Sequence, residues 1–376
     1  MPQSGDRAGL TGLTISCLTR YDVKGPSSRL RFMQYEPALE AAGAKVAFRP
    51  LLSDNYLERL YAGRRQDIFE IGLSYLRRLR DVSLRGADIL WIEKELFPYL
   101  PSAFERCASM RRIPYVVDYD DATFHSYDLH RRRQVRALLG SKLDPLLRGS
   151  ALVTAGNSYL AEYTSCHGAR RVEIIPTVVD TNRYPCDPPI SSGRLRIGWI
   201  GTPNNARYLA PVVKALNKLS ERLAVTLVTV GIGVLPDLKV PQERHDWSEH
   251  EEGCLANSFD IGVMPLADTP WERGKCGYKL IQYMAAARPV IASAIGVNPQ
   301  IVTDSVGRLV DEDEGWVTAI LELGQDSVLR QKMGDAARRH VEEHYSLAAT
   351  GPKIVNIFEE IAAGLQQNRP RKNRTQ

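Results

Sequence analysis

No stretch of the 376-residue chain approaches the roughly 18 consecutive apolar residues of a membrane-spanning helix. The N-terminal MPQSGDRAGLTGLTISCL lacks the basic-then-apolar layout of a secretory signal, because its apolar part is short and opens a strand. The expected location is therefore the cytoplasm. Cysteine is sparse: Cys17, Cys107, Cys166, Cys186, Cys254 and Cys276 lie scattered, with no CxxC and no paired spacing. That pattern argues against a structural zinc site or a disulfide framework. Cys276 reads as a small loop filler rather than a nucleophile, since no His or Asn is marked as its partner.

A large excess of one charge is also missing. The net charge is +5, and it is unevenly placed: residues 1–190 hold 27 Lys+Arg against 22 Asp+Glu, while 191–376 hold 22 of each. Arginine runs at Arg77-Arg78, Arg111-Arg112 and Arg131-Arg132-Arg133 read either as solvated helix faces or as a surface for an anionic membrane or acceptor. No aromatic–basic stacking motif or DNA-binding helix pattern accompanies them, so nucleic acid is not an expected partner.

What is present is ordinary globular material, 44% hydrophobic and 25% charged, enough for about two domains with substantial cores. Short apolar segments alternate with helical ones. Strands are expected at 13–18, 44–51, 87–95, 113–122, 150–157 and 172–180, with helices at 27–42, 56–85 and 128–147 between them. The segment DTNRYPCDPPISSGR (180–194) breaks the rhythm and reads as a linker. Strands resume at 195–202, 225–233, 258–266, 289–293 and 307–311, with helices at 206–222, 298–302, 314–323 and 326–345. Alternation of this kind specifies α/β architecture with parallel sheets covered on both faces. The expected division is a first domain over 1–187, a second over 188–351, a helix at 352–366 returning to the first, and a disordered basic tail at 367–376. In such folds ligands bind outside the carboxyl ends of the strands.

Two motifs carry chemistry. In GWIGTPNNAR (198–207) a strand ends at Ile200 and turns at Gly201-Thr202, where bare backbone and free amides suit a phosphate; an ordinary strand-to-helix turn reads the same way. It is neither GxGxxG nor a P-loop. In GKCGYKLIQYMAAARPVIAS (274–293), Gly277 opens a helix with apolar Leu280, Ile281, Met284 and Ala285 at helical spacing. Lys275 and Lys279 bracket its positive end, where cations oppose the helix dipole unless something negative compensates. A diphosphate would do so; a lysine stem lying along the first turn is the plainer reading.

In the first half, GPSSRLR (25–31) enters a helix just after the first strand. Asp118, Asp120, Asp121 and His125 sit at the end of another. The acids suit either a general base or a helix cap with a solvated loop; a metal site is not expected. Trp271 reads as a loop anchor or a stacking surface. The stretch 131–149 reads as a core-facing helix with a basic outer side, or a lipid contact.

The region SFDIGVMPLADTPWERGKCGYKLIQYMAAARPVIASAIGVNPQIV resembles the signature of family 4 glycosyltransferases, retaining enzymes of the GT-B fold. NSYLAEY…VEIIPTVVDTNRY and RIGWIGTP are similar to the end of the family's first domain and the start of its second. The resemblance implies two Rossmann-like domains facing each other across a cleft. It also implies hexosyl transfer from a nucleotide diphosphate sugar to a glycan, lipid-linked or small-molecule acceptor, without metal or cofactor. It assigns Gly201, Thr202, Glu272, Lys275, Gly277, Tyr278 and Gln282 to the donor, with Lys279 and Arg207 as phosphate clamps. Gln282 and Gly274 stand where the family has two glutamates. The acceptor falls to Gly25, Ser27, Ser28 and Arg29, with Asp121 and His125 as candidate catalytic groups. Two alternatives remain: a non-catalytic relative that binds nucleotide sugars, and a GT-B sugar-nucleotide epimerase.

Overall fold

The computed structural model describes residues 9–83, 86–110, 113–188 and 193–367. The start of the N-terminal stretch, Arg111-Arg112 and the expected tail from 368 lie outside the described residues. The chain divides into two compact units, one running to Pro176 and resuming at Thr350, the other spanning Thr177–Ala349.

The first unit is built on strands β1 (Thr14–Leu18), β2 (Lys45–Phe48), β3 (Ile89–Glu93), β4 (Tyr115–Tyr119), β5 (Leu152–Ala155) and β6 (Val172–Ile174). They form one sheet in the order β2-β1-β3-β4-β5-β6, and every pairing is parallel. β3 and β4 are buried along their whole length, which is why they read as near-continuous apolar runs. The C-terminal helix Leu347–Gln367 packs on this unit through Phe358, whose ring centroid lies 5.0 Å from that of Trp91.

The second unit carries β7 (Leu195–Ile200), β8 (Val225–Val230), β9 (Gln242–His245), β10 (Ile261–Met264), β11 (Val290–Ser293) and β12 (Gly307–Val310), in the parallel order β12-β11-β10-β7-β8-β9. Two apolar cores flank the sheet. Ile197, Trp199 and Leu227 pack with helices Ala210–Leu219 and Asp313–Gln325. Val228, Val230 and Met264 pack with helices Tyr278–Ala285 and Ser327–His344.

Several expected elements are divided by local chemistry. The helix expected over 27–42 is Pro26–Arg31, a 3-10 turn Met33–Tyr35 and Glu36–Ala41, restarted by Pro37. The region 56–85 is two helices, Asp54–Tyr61 and Ile68–Ser83, parted where Gly63 takes a φ of 64°. The 128–147 helix is Arg133–Leu139 and Asp144–Gly149, with Pro145 in the first turn of the second. The 206–222 helix begins as a 3-10 turn, Pro203–Leu209. Strand β9, QERH, is polar because it is an edge strand paired only with β8. Part of the expected linker is built into the second unit, where Tyr184 is buried.

Candidate active site

The second unit gathers most of the expected donor residues at the carboxyl edge of its sheet. β7 and β8 run on into Gly201 and Gly231. Gly231 has a φ of 82°, and a Cβ there would stand 2.5 Å from the carbonyl oxygen of Gly201. The two strand ends therefore stay free of side chains. Thr202 is exposed and opens the 3-10 turn without a side-chain cap.

Gly277 sits at a φ of 66° and opens the helix Tyr278–Ala285. Leu280, Ile281, Met284 and Ala285 bury that helix, which fixes its N-terminus. Lys279, half-buried, holds its ammonium 5.9 Å from the centroid of the Trp199 ring. The same ring would meet a Cβ on Gly201 at 2.4 Å, so Trp199 joins the glycine edge to the lysine. The Lys275 amide donates to the Glu272 carbonyl at 3.1 Å.

Glu272 is buried. Its carboxylate accepts from the Tyr208 and Thr269 hydroxyls, and the exposed Arg207 stands 3.9 Å away. Burial pushes this carboxyl up, but the hydrogen bonds from Thr269 and Tyr208 outweigh it and hold the group below its ordinary value. The contact ties the turn after β7 to the signature loop. Arg207, Tyr208, Ala267, Thr269, Trp271 and Glu272 line a cavity of about 510 Å³.

Gln282, which the resemblance assigns to the donor, is engaged by the protein itself. It is buried, and its amide donates to the Tyr184 hydroxyl at 3.3 Å. Tyr184 in turn donates to Glu252 Oε1 at 2.9 Å, and Tyr278 reaches the same oxygen at 3.5 Å. The other oxygen, Oε2, accepts from the Trp247 indole at 3.0 Å. Trp247 is 42% exposed, with its one polar atom engaged inward. Tyr184, Tyr208, Trp247 and Glu252 were not visible as site residues in the sequence. They come from the stretch expected as a linker, the turn after β7, and the loop and helix after β9, with no periodicity or motif to mark them.

In the first unit the expected acceptor loop follows β1. Ser27 accepts from Lys94 Nζ at 3.1 Å, and Arg29 donates to the Val23 carbonyl at 3.1 Å. Gly25 is buried, and Ser28 is fully buried and donates to Glu93 at 2.6 Å, so that hydroxyl faces the core rather than a ligand. The acid cluster does not converge. Asp118 is buried in a two-bond pair with Arg31, at 2.9 and 2.6 Å, while Asp120 pairs with Lys94 at 2.8 Å. Asp121 is half-buried and accepts from the Ala122 amide. His125 has both ring nitrogens engaged, by Asp128 at 2.8 Å and Tyr159 at 2.7 Å. Lys94, at a φ of 62°, is the cation the sequence did not single out. Among the described residues no group of three or more His, Cys, Asp or Glu is placed to hold a metal ion.

The architecture is that of GT-B structures. Residues 194–326 match the model of a family described as glycosyl transferases group 1. A GDP-mannose-dependent monoacylated alpha-(1-6)-phosphatidylinositol monomannoside mannosyltransferase from Corynebacterium glutamicum is 32% identical over 237 residues, covering 54% of this chain and 61% of that protein. The chain thus matches under two-thirds of that relative's length. Among solved structures, Anabaena HepE in complex with UDP and glucose aligns with a TM-score of 0.68 at 14% identity, covering 93% of this chain and all of that one. Sucrose-phosphate synthase from Thermosynechococcus elongatus aligns at 0.67 with 13% identity, covering 94% and 100%. At such identities the likeness establishes the fold. Among the described residues no helix is long and apolar enough to cross a membrane.

Proposed function

We propose that this chain is a glycosyltransferase that moves a sugar from a nucleotide diphosphate sugar to an acceptor, with retention at the anomeric carbon and without a divalent metal or other cofactor. The observation that carries the reading is the start of the helix Tyr278–Ala285, with Lys279 held against Trp199 beside the bare Gly201 and Gly231 edge. Two lysines at the positive end of a helix are unfavourable alone and favourable around a diphosphate. The group 1 family match and the sugar-transferring relative support the same class of reaction.

In this reading the amides of Gly277 and Tyr278, with Lys275 and Lys279, hold the diphosphate, and Gly201 and Thr202 let it approach the sheet edge. Arg207, exposed and bonded to the Tyr208 hydroxyl, adds a further cation. Glu272 positions Arg207 and the loop through Tyr208, and the cavity beside it takes the sugar. Trp247 offers its ring to the base, and Glu252, with Tyr278, fixes that ring. As the bond from the anomeric carbon to the β-phosphate oxygen breaks, charge builds on the leaving diphosphate. The fixed cations and amides stabilise that charge more than the ground state. The acceptor oxygen bonds to the anomeric carbon, and the departing phosphate takes its proton, so no side-chain base is required.

The acceptor belongs to the first unit, at the 25–29 loop with Lys94 and Asp121 nearby. The chain works at the cytoplasmic face of an anionic membrane, on an acceptor held there. The test is transfer itself: UDP-glucose and GDP-mannose are supplied with extracted lipid and glycan acceptors in EDTA, and labelled product is counted. Turnover supports the reading, whereas binding without turnover assigns the chain to the non-catalytic alternative.

A further inference from the structure

The helix Ile68–Ser83 in the first unit is seated the wrong way round for a protein surrounded by water. Its buried residues are Ser74, Arg78 and Val82, at i, i+4 spacing, with Ser74 donating to the Glu70 carbonyl and Arg78 to that of Thr19. Its outward residues are Ile68, Phe69, Leu73 and Leu76, the first two 84% and 82% exposed. At 100° per residue these four lie within an arc of roughly 140°, opposite the buried set. Leu60 and Tyr61, at the end of the preceding helix, are exposed as well. A soluble helix normally buries this stripe and exposes the arginine.

Charge around the stripe is sorted. Arg64 and Arg65 are exposed just before it, and Arg77 and Arg80 are exposed at its far end. Each neighbouring acid is already engaged, Asp81 by Arg80 at 3.6 Å. Glu70 accepts from Ser53 and Asn55, Asp67 caps the amides of Phe69 and Glu70, and Glu58 pairs with Lys24. An apolar face rimmed by arginines fits an anionic bilayer, with the apolar residues at the acyl boundary and the guanidinium groups among phosphates.

The helix before the stripe, Asp54–Tyr61, adjoins the expected acceptor loop. The Lys24 amide donates to Asp54 at 3.0 Å, and Tyr21 stacks on Tyr56 with centroids 6.3 Å apart. A membrane seated on the stripe would therefore lie next to the helix that contacts the 21–29 loop. The sequence offered 131–149 for such a contact, but there Leu139, Leu143, Leu146 and Leu147 are buried.

We infer that residues 60–80 form a docking surface for an anionic lipid bilayer. This gives a location to the membrane contact of the reading above. Vesicle binding measured without donor or acceptor separates its failure from a failure of the transfer reading.

The test is co-sedimentation of the full chain with vesicles of phosphatidylcholine alone and of phosphatidylcholine mixed with phosphatidylglycerol. The wild type should bind the mixed vesicles and not the neutral ones. Ile68→Ser/Phe69→Ser/Leu76→Ser should weaken binding at least about tenfold. Arg77→Glu/Arg80→Glu, which leaves the apolar stripe intact, should abolish the preference for anionic vesicles. Unchanged far-ultraviolet circular dichroism controls for folding of both variants. The inference is overturned if the wild type ignores anionic vesicles, or if both variants bind as it does. It is equally overturned if the wild type is a dimer that the triple variant dissolves, which would assign the stripe to a second copy.

Discussion

The Gln282 amide donates to the Tyr184 hydroxyl at 3.3 Å, and that hydroxyl donates in turn to Glu252 at 2.9 Å. The chain thus keeps one carboxylate here, Glu252 on the neighbouring helix, and an amide at Gln282. Two carboxylates sharing one tyrosine in a buried setting would repel. Gln282→Glu should therefore destabilise the protein by about 1–3 kcal/mol in urea unfolding, without tightening nucleotide binding. The exchange Gln282→Glu/Glu252→Gln should recover most of that loss, because the pair couples.

Trp247 presents its ring while Glu252 holds its indole nitrogen. Trp247→Ala should weaken binding of the preferred nucleoside diphosphate roughly tenfold, the scale of one base–aromatic stack. Inorganic pyrophosphate, which has no base, should bind the variant and the wild type alike. Calorimetric titration of both ligands checks this.

At Gly277 a side chain meets two obstacles at once. Its φ is 66°, and a Cβ would stand 2.2 Å from Ile301 Cδ1. Gly277→Ala should cost about 1–3 kcal/mol of stability and, by shifting the helix start, reduce diphosphate affinity more than Trp247→Ala does. Thermal unfolding with and without the diphosphate reads both effects.

Asp120 gives a pH signature. Burial pushes its carboxyl up, but the Lys94 ammonium, the Arg31 guanidinium and hydrogen bonds from Lys94 and Ser27 outweigh it and hold it below the ordinary aspartate value. A group whose folded pKa is depressed stabilises the fold above its unfolded pKa of about 3.9 and loses that contribution as pH falls through the folded value. Asp120→Asn should cost about 3 kcal/mol at neutral pH, because it removes the nearest counter-charge of the buried Lys94 and leaves Glu93 at 4.0 Å. The difference from wild type should narrow below about pH 3.9. Urea unfolding at neutral and acid pH measures it.

The parallel sheets were legible because strands such as ILWIE and VTLVTV are buried on both faces, so their apolar runs survive in the sequence. QERH was not, since an edge strand has no second neighbour to demand apolar residues. Lys275 and Lys279 stood out because cations at a helix start conflict with the helix dipole. Glu252, Tyr184 and Tyr208 follow local preference and act only through contacts made by residues distant in the chain. The acid cluster misled for the same reason: nothing in DYDD shows that Asp118 faces Arg31 and Asp120 faces Lys94. The exposed stripe at 68–76 was not legible, because helical spacing records which residues share a face, not which face is covered.

The most direct test of donor binding is a thermal-shift panel of UDP, GDP, ADP, TDP and CDP in EDTA, on wild type and Lys279→Ala. One diphosphate should raise the wild-type Tm without metal, in proportion to ln(1 + [L]/Kd), and the substitution should remove the shift. If no diphosphate stabilises the wild type, or if Lys279→Ala keeps the full shift, the helix start at Gly277 is not a diphosphate site.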